Sequence, residues 1–168
     1  DDLREVCTAL AENMLMLCNG WDEEKARAEV AEAVASGKAF ETMKKWIAAQ
    51  GGNAAALEDF SLLPQASVHY ELKAPRSGYL AHMDAQKIGE ASAILGAGRQ
   101  KKEDSIDYAA GIVLRKKTGD RVEAGETLAE LWTNQEKSVA DSEAEFLSAL
   151  VWGEEAPQHQ PLVLGVIR

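Results

Sequence analysis

Cysteine is scarce in this chain, basic charge is in deficit, and no long apolar run is present. Cys7 and Cys18 are the only cysteines among 168 residues. On one helix they would stand about 16 Å apart at ~1.5 Å per residue, whereas a disulfide needs Cα atoms within roughly 7 Å. They are therefore expected to be buried thiols of a reducing compartment. His69, His82 and His159 are scattered and no Cys-x-x-Cys occurs, so no metal-ligand spacing exists. With 18 basic against 28 acidic residues the formal charge is -10, which excludes the basic face of a nucleic-acid binder. No apolar stretch nears the ~20 residues that span a bilayer, and DDLREVCTAL lacks the layout of a signal peptide. The expectation is an acidic cytoplasmic protein with no nucleic-acid or membrane partner. Because the sequence opens on Asp1 and not on Met, a trimmed N-terminus is expected.

What is present begins as helix. Leu3, Val6, Cys7, Leu10, Met14, Leu17 and Cys18 recur at three- and four-residue steps, one face of a 3.6-residue period. Leu15 and Met16 widen that face, which predicts a deeply packed helix stopped by Asn19-Gly20. Asp22, Glu23 and Glu24 open a second helix, where negative charge suits the exposed N–H groups. Ala26, Val30, Ala33 and Val34 form its thin stripe, and Ser36-Gly37 ends it. A third helix carries Phe40, Met43, Trp46 and Ile47 as far as Gln50-Gly51-Gly52. These apolar faces are generous for three helices alone, so a further partner surface is expected.

Residues 53–66 read as a connector ending at Pro64. Val68, Tyr70 and Leu72 then alternate with His69, Glu71 and Lys73, the period of a strand with one buried face. Ala74 to Gly78 supplies a turn, Tyr79 to Met83 a second strand, and Asp84 an N-cap for a helix closed by Gly96 and Gly98. Gly111 to Lys116 and Thr127 to Trp132 read as two strands joined by Thr118-Gly119-Asp120, with Gly125 at a second turn. Thr133 to Glu136 fits a capping box before a last helix whose inward residues are Val139, Phe146, Leu147 and Leu150. A stiff Pro157 to Pro161 linker leads to a final strand, Leu162 to Ile167. The fold class is α+β, or mixed α/β, without βαβ repetition. A helical segment (1–52) and a connector (53–66) precede a strand-rich C-terminal domain (67–168) with inserted helices.

Several ordered segments carry a resemblance. They are Leu3 to Leu17, Ala35 to Phe40, Ala49-Gln50-Gly51-Gly52, Leu63-Pro64-Gln65-Ala66 and Ala74 to Tyr79, continuing through Leu95 to Arg99, Lys102-Glu103-Asp104, Ile106-Asp107, Val113 to Lys117 and Gly119 to Leu131. In this order and spacing the chain resembles the C-terminal portion of the pyrimidine-nucleoside phosphorylases, relatives of thymidine phosphorylase. The Ala-Gly-Arg loop, the Lys-Glu-Asp after it and Arg115-Lys116-Lys117 look more like the broad-specificity enzymes than the thymidine-restricted ones. The resemblance implies a hammerhead-like, barrel-sandwich C-terminal domain. It also implies a pentosyltransferase parent, more than twice as long and homodimeric, in which inorganic phosphate cleaves a pyrimidine nucleoside to base and pentose 1-phosphate. The family's phosphate, base and monovalent-cation groups lie in the N-terminal portion, and none of their motifs occurs here. No catalytic, substrate-binding, cofactor or metal residue is carried over, and this chain alone is expected to be inactive.

Two features invite a local function. Gly96-Ala97-Gly98-Arg99-Gln100-Lys101-Lys102 is glycine-rich and basic, but its glycines end a helix, whereas a phosphate loop opens one. The expectation is a helix cap followed by a charged loop whose Arg99 and Lys102 help close a cleft in the parent enzyme. Gly119 to Glu126 and Ala74 to Gly78 resemble strand turns of biotinyl and lipoyl carriers, which makes a free-standing carrier or interaction module the alternative. Lys116-Lys117 lacks a Met-Lys-Met or Asp-Lys-Ala context, so shared architecture is the preferred reading. Asp104 and Asp107 read as turn caps, and Trp21, Trp46, Trp132 and Trp152 as core or interface anchors.

Overall fold

The computed structural model describes residues 2–99, 101–158 and 161–167. They form two compact units: one holds residues 2–62 with 161–167, the other residues 63–158. His159 lies outside the described residues. Among those that are described, no helix is long and apolar enough to cross a membrane.

The first unit contains α1 (Asp2–Asn19), α2 (Glu23–Ala35) and α3 (Lys38–Ala49), followed by short 3₁₀ turns at Ala54–Leu57 and Phe60–Leu62. Helix boundaries follow local chemistry. The Asp22 carboxylate accepts from the Lys25 N–H at 2.8 Å, satisfying one of the orphan donors of the first turn of α2. Burial departs from expectation. No residue of α1 is buried, and Leu3 and Leu17 are 76% and 86% exposed. Cys7 and Cys18 are exposed thiols rather than buried ones. Periodicity marks which side of a helix is apolar and is silent on what covers it. Here the neighbouring helices are short and alanine-rich, and Ala26 and Ala56 are the unit's buried apolar residues.

The expected strand at Leu162 to Ile167 does not form: residues 161–167 are irregular. Val163 and Val166 line a shallow pocket with Thr8, Glu12 and Met16 of α1 and Arg27 of α2. Leu164 and Ile167 point to solvent. A strand needs a partner for its N–H and C=O groups, and none of this unit's described residues is in a strand.

The second unit has two antiparallel three-stranded sheets. One is ordered β1 (Val68–Lys73), β5 (Thr127–Thr133), β3 (Gly111–Leu114), and the other β4 (Arg121–Val122), β2 (Gly78–Met83), β6 (Leu150–Gly153). Helices α4 (Ala85–Ser92) and α5 (Val139–Ser148) complete it. The α+β class holds, and neither sheet closes into a barrel. The core gathers Leu72, Leu80, Leu95, Val122, Leu128, Leu131 and Phe146 from both sheets and both helical regions, all essentially inaccessible. β1 shows the expected alternation, with Tyr70 and Leu72 turned inward opposite Leu131 and Ala129 of β5.

Three local expectations are corrected here. β3 and β5 do pair, but the segment between them is more than a pair of turns. Gly119 donates to the Leu80 carbonyl at 2.8 Å and Leu80 to that of Asp120 at 3.0 Å, so the chain leaves the first sheet to form β4 on β2 before returning. Leu150 belongs to β6, not to the last helix, which stops at Ser148. The capping box at Thr133 does not form either, because Thr133 is the last residue of β5 and buried.

A tyrosine ties α5 to β1. The Tyr70 hydroxyl donates to Glu143 Oε2 at 2.9 Å, and this bond, with burial and the carboxylate's negative charge, raises the phenol above its ordinary value. A raised folded-state value means that the contribution to stability is complete below pH about 10 and is lost as pH climbs through that higher value. Alkaline titration followed by phenolate absorbance is expected to show a late phase that Tyr70→Phe abolishes. A late phase that persists in Tyr70→Phe would contradict the assignment.

Candidate functional site

The basic loop that drew attention in the sequence rises from a node of four segments. Asp84 opens α4 by accepting from the Gln86 and Lys87 N–H groups at 2.9 and 3.3 Å. The helix then widens into a π-type turn, Ala93–Ala97, which Gly96 unwinds at φ 108°. That backbone is open to glycine and strained for any L side chain. A Cβ on Gly96 would also stand 3.2 Å from Gln135 Nε2 and 3.4 Å from Asp107 Cβ.

The carbonyls at this helix end are taken by protein donors. Asp107 N–H donates to the Gly96 carbonyl at 2.9 Å, and the buried Thr133 hydroxyl donates to that of Leu95 at 2.7 Å. Thr133 Oγ1 in turn accepts from the Gln135 N–H at 2.9 Å. The glycines thus end a helix with acceptors pointing into the node, the reverse of a phosphate cradle.

Asp107 anchors the far end of the loop. Its Oδ1 accepts from the Ala109 N–H at 3.0 Å and its Oδ2 from Asn134 Nδ2 at 2.9 Å. Asn134 Oδ1 meanwhile accepts from the Ser67 N–H at 2.8 Å. Asp104 closes a smaller turn, accepting from the Lys101 N–H at 2.8 Å while its own N–H donates to the Lys101 carbonyl at 3.1 Å. Both aspartates therefore serve the loop's backbone. Between these anchors Arg99 and Lys102 are exposed. The arrangement can hold two cations outward on a loop fixed at both ends.

Other candidates separate from this node. His69 stacks on Trp132 with ring centroids 4.1 Å apart, and its Nε2 lies 3.3 Å from Glu130 Oε2. Arg115 meets the other oxygen of Glu130 at 2.6 Å, so the outer face of β1–β5–β3 carries a surface ion-pair ladder. His82 is exposed on β2. Trp152 faces the Arg76 guanidinium at 5.4 Å and Trp21 the Lys25 ammonium at 4.3 Å; Trp46 is exposed on α3. Of the Lys116-Lys117 pair on which a carrier reading would draw, Lys116 is bound to Glu126 Oε1 at 2.5 Å and only 22% exposed, whereas a carrier lysine must stand free at a hairpin tip. Lys117 is exposed, and its N–H donates to Asp120 Oδ2 at 2.8 Å in the turn before β4. Among the described residues no group of three or more His, Cys, Asp or Glu comes together.

Sequence reasoning missed Thr133, Asn134 and Gln135 as parts of the node, taking them for a helix start. The available signal was the period of β5: Ala129, Leu131 and Thr133 fall on one face, which sends the threonine inward.

Residues 79–151, from β2 to the start of β6 and including the whole loop, match the family model described as the pyrimidine nucleoside phosphorylase C-terminal domain. Among curated proteins, the pyrimidine-nucleoside phosphorylase of Geobacillus stearothermophilus is 42% identical over 138 residues, which is 82% of this chain and 32% of that protein. That of Bacillus subtilis (strain 168) is 42% identical over 81% of the chain, and that of Staphylococcus aureus (strain USA300) 45% over 80%. The chain is thus similar, along four fifths of its length, to the C-terminal portion of these proteins, and spans about a third of theirs.

Proposed function

We propose that this chain is the C-terminal part of a pyrimidine-nucleoside phosphorylase. The carrying observation is the match of residues 79–151 together with 42–45% identity to phosphorylases across most of the chain. In the reaction a phosphate oxygen bonds to C1′ of the pentose as the glycosidic C–N bond breaks. The electron pair leaves with the pyrimidine, which takes up a proton. The products are base and pentose 1-phosphate. Groups that hold phosphate and base belong, on this reading, to an N-terminal portion, as does the monovalent-cation site of some members of the family, and the parent is a homodimeric cytoplasmic enzyme.

The contribution of this chain is structural. The second unit supports the fold, and the loop bearing Arg99 and Lys102 helps close the cleft over the anionic co-substrate, excluding water from the reacting groups. Support comes from the loop's construction: both ends are anchored by short hydrogen bonds, while its cations face outward.

The test is a chimera in which this chain replaces the corresponding third of the Geobacillus stearothermophilus protein. Phosphate-dependent uracil release from uridine is expected from the chimera and not from the 168-residue chain alone. Arg99→Ala with Lys102→Ala in the chimera is expected to lower kcat/KM about tenfold, the scale of one or two charge-assisted contacts. Turnover by the isolated chain, or an intact mass showing a biotinyl or lipoyl adduct, would overturn the proposal.

A further inference from the structure

We infer that Asn134 is a positioning residue that couples the segment leading into β1 to the Arg99–Asp107 loop. The second unit begins at residue 63, so Ser67 belongs to the stretch by which the chain arrives there from the helices. The single side-chain amide of Asn134 spans that stretch and the loop. Its oxygen takes the Ser67 N–H at 2.8 Å and its NH₂ gives to Asp107 Oδ2 at 2.9 Å. Only one orientation of the amide satisfies both, since a backbone N–H requires the oxygen and a carboxylate requires the nitrogen.

The two contacts share one rigid planar group, and that group is set on a rigid base. Thr133 before it is fixed to the Leu95 carbonyl, and Asp107 beyond it is fixed to the Gly96 carbonyl. Displacing Ser67 therefore turns the amide and withdraws the donor from Asp107, releasing the loop's far anchor. The loop's position becomes conditional on how the chain enters the second unit. This deepens the cleft-closing reading, and it rests on that reading only for what the loop does in a phosphorylase.

Amide hydrogen exchange on the 168-residue chain tests the coupling directly. Asn134→Ala is expected to speed exchange at Ser67, Asp107, Ala109 and Ala110 about fivefold, the scale of one lost hydrogen bond. Asn134→Asp keeps an acceptor for Ser67 but sets a carboxylate against Asp107, so only the loop amides should accelerate. Ser67→Pro deletes the donor at 67; the loop amides should respond in the parent sequence and not in the Asn134→Ala background. Loop amides indifferent to Ser67→Pro, or responding equally in both backgrounds, overturn the coupling. Should the proline variant fail to fold, the asparagine pair decides: Asn134→Ala moving only one of the two sites overturns it. Because exchange is read on the chain itself, an inactive chimera would count against the phosphorylase reading and leave this result standing.

Discussion

Phe146→Ala is expected to destabilise the second unit by about 3–5 kcal/mol, the range for removing a large aromatic side chain from a packed core. Phe146 is fully buried in a cluster that draws Leu72 and Leu131 from one sheet, Leu80 and Val122 from the other, and Leu95 from the end of the α4 region. Removing the ring leaves a void in this cluster, and segments held by hydrogen-bonded strands cannot collapse to refill the space. For a unit of this size, each kcal/mol corresponds to roughly 4–8 °C in Tm, so calorimetry should show a fall well above 10 °C. Leu17→Ala is the control. Leu17 is equally apolar but 86% exposed on α1, and its loss should stay within about 0.5 kcal/mol. A Leu17 variant as damaged as the Phe146 variant would mean that α1 is covered in solution.

Gly96→Val is expected to cost about 2–4 kcal/mol. Two terms contribute and can be separated. The backbone at φ 108° imposes a strain of about 1–3 kcal/mol on any residue with a Cβ, and Gly96→Ala isolates most of that. Valine then adds branched methyls next to Gln135 Nε2 and Asp107 Cβ, already 3.2 and 3.4 Å from a first carbon, where overpacking typically costs about 1–3 kcal/mol. The Gln135 amide, the nearer contact, must give way first, and Asp107 with its bond to the Gly96 carbonyl comes under pressure once the side chain branches. Chemical denaturation gives the stability and hydrogen exchange at Asp107 the local opening. A Gly96→Ala variant of undiminished stability would show that the turn can relax without the left-handed residue.

The carboxylates that cap and pair on the surface are a smaller matter. Glu71 and Glu126 are held below the usual carboxylate range, by Lys73 and Thr127 in the first case and by Lys116 and the Glu123 N–H in the second. Glu71 is exposed and Glu126 half-buried, and both reach water, so salt and solvent screen them.

Element boundaries were largely legible in the sequence because they depend on neighbours in the chain. Asp22 and Asp84 announce helix starts by satisfying N–H groups two or three residues away. The alternation of Val68 to Lys73 predicts a strand because successive side chains must point to opposite faces. Gly96 marks a helix end wherever it folds. The ordered segments from Leu3 to Leu131 likewise sufficed to name a family, since that resemblance is itself a property of sequence.

The hydrogen-bonded node around Asp107 was not legible, and sequence separation explains why. Thr133 finds Leu95 across 38 positions, Asn134 finds Asp107 across 27 and Ser67 across 67. A Thr-x-x-Glu pattern offers a local alternative that serves equally well on paper, and only the pairing of β5 between β1 and β3 turns the threonine inward and leaves the asparagine at the rim. The same limit applies to α1, whose apolar face was evident while its exposure was not, and to residues 162–167, which have the pattern of a strand and no strand beside them.

The chain by itself thus determined where helices and strands begin, which faces are apolar, and that the glycine-rich loop ends a helix with its carbonyls toward the loop. Tertiary structure alone decided that this loop is anchored at both ends, that Asn134 stands between it and the stretch leading into β1, and which apolar faces are covered. The reason is physical: capping and periodicity are satisfied within a few residues, whereas burial and cross-strand hydrogen bonds require partners that only the folded chain brings within reach.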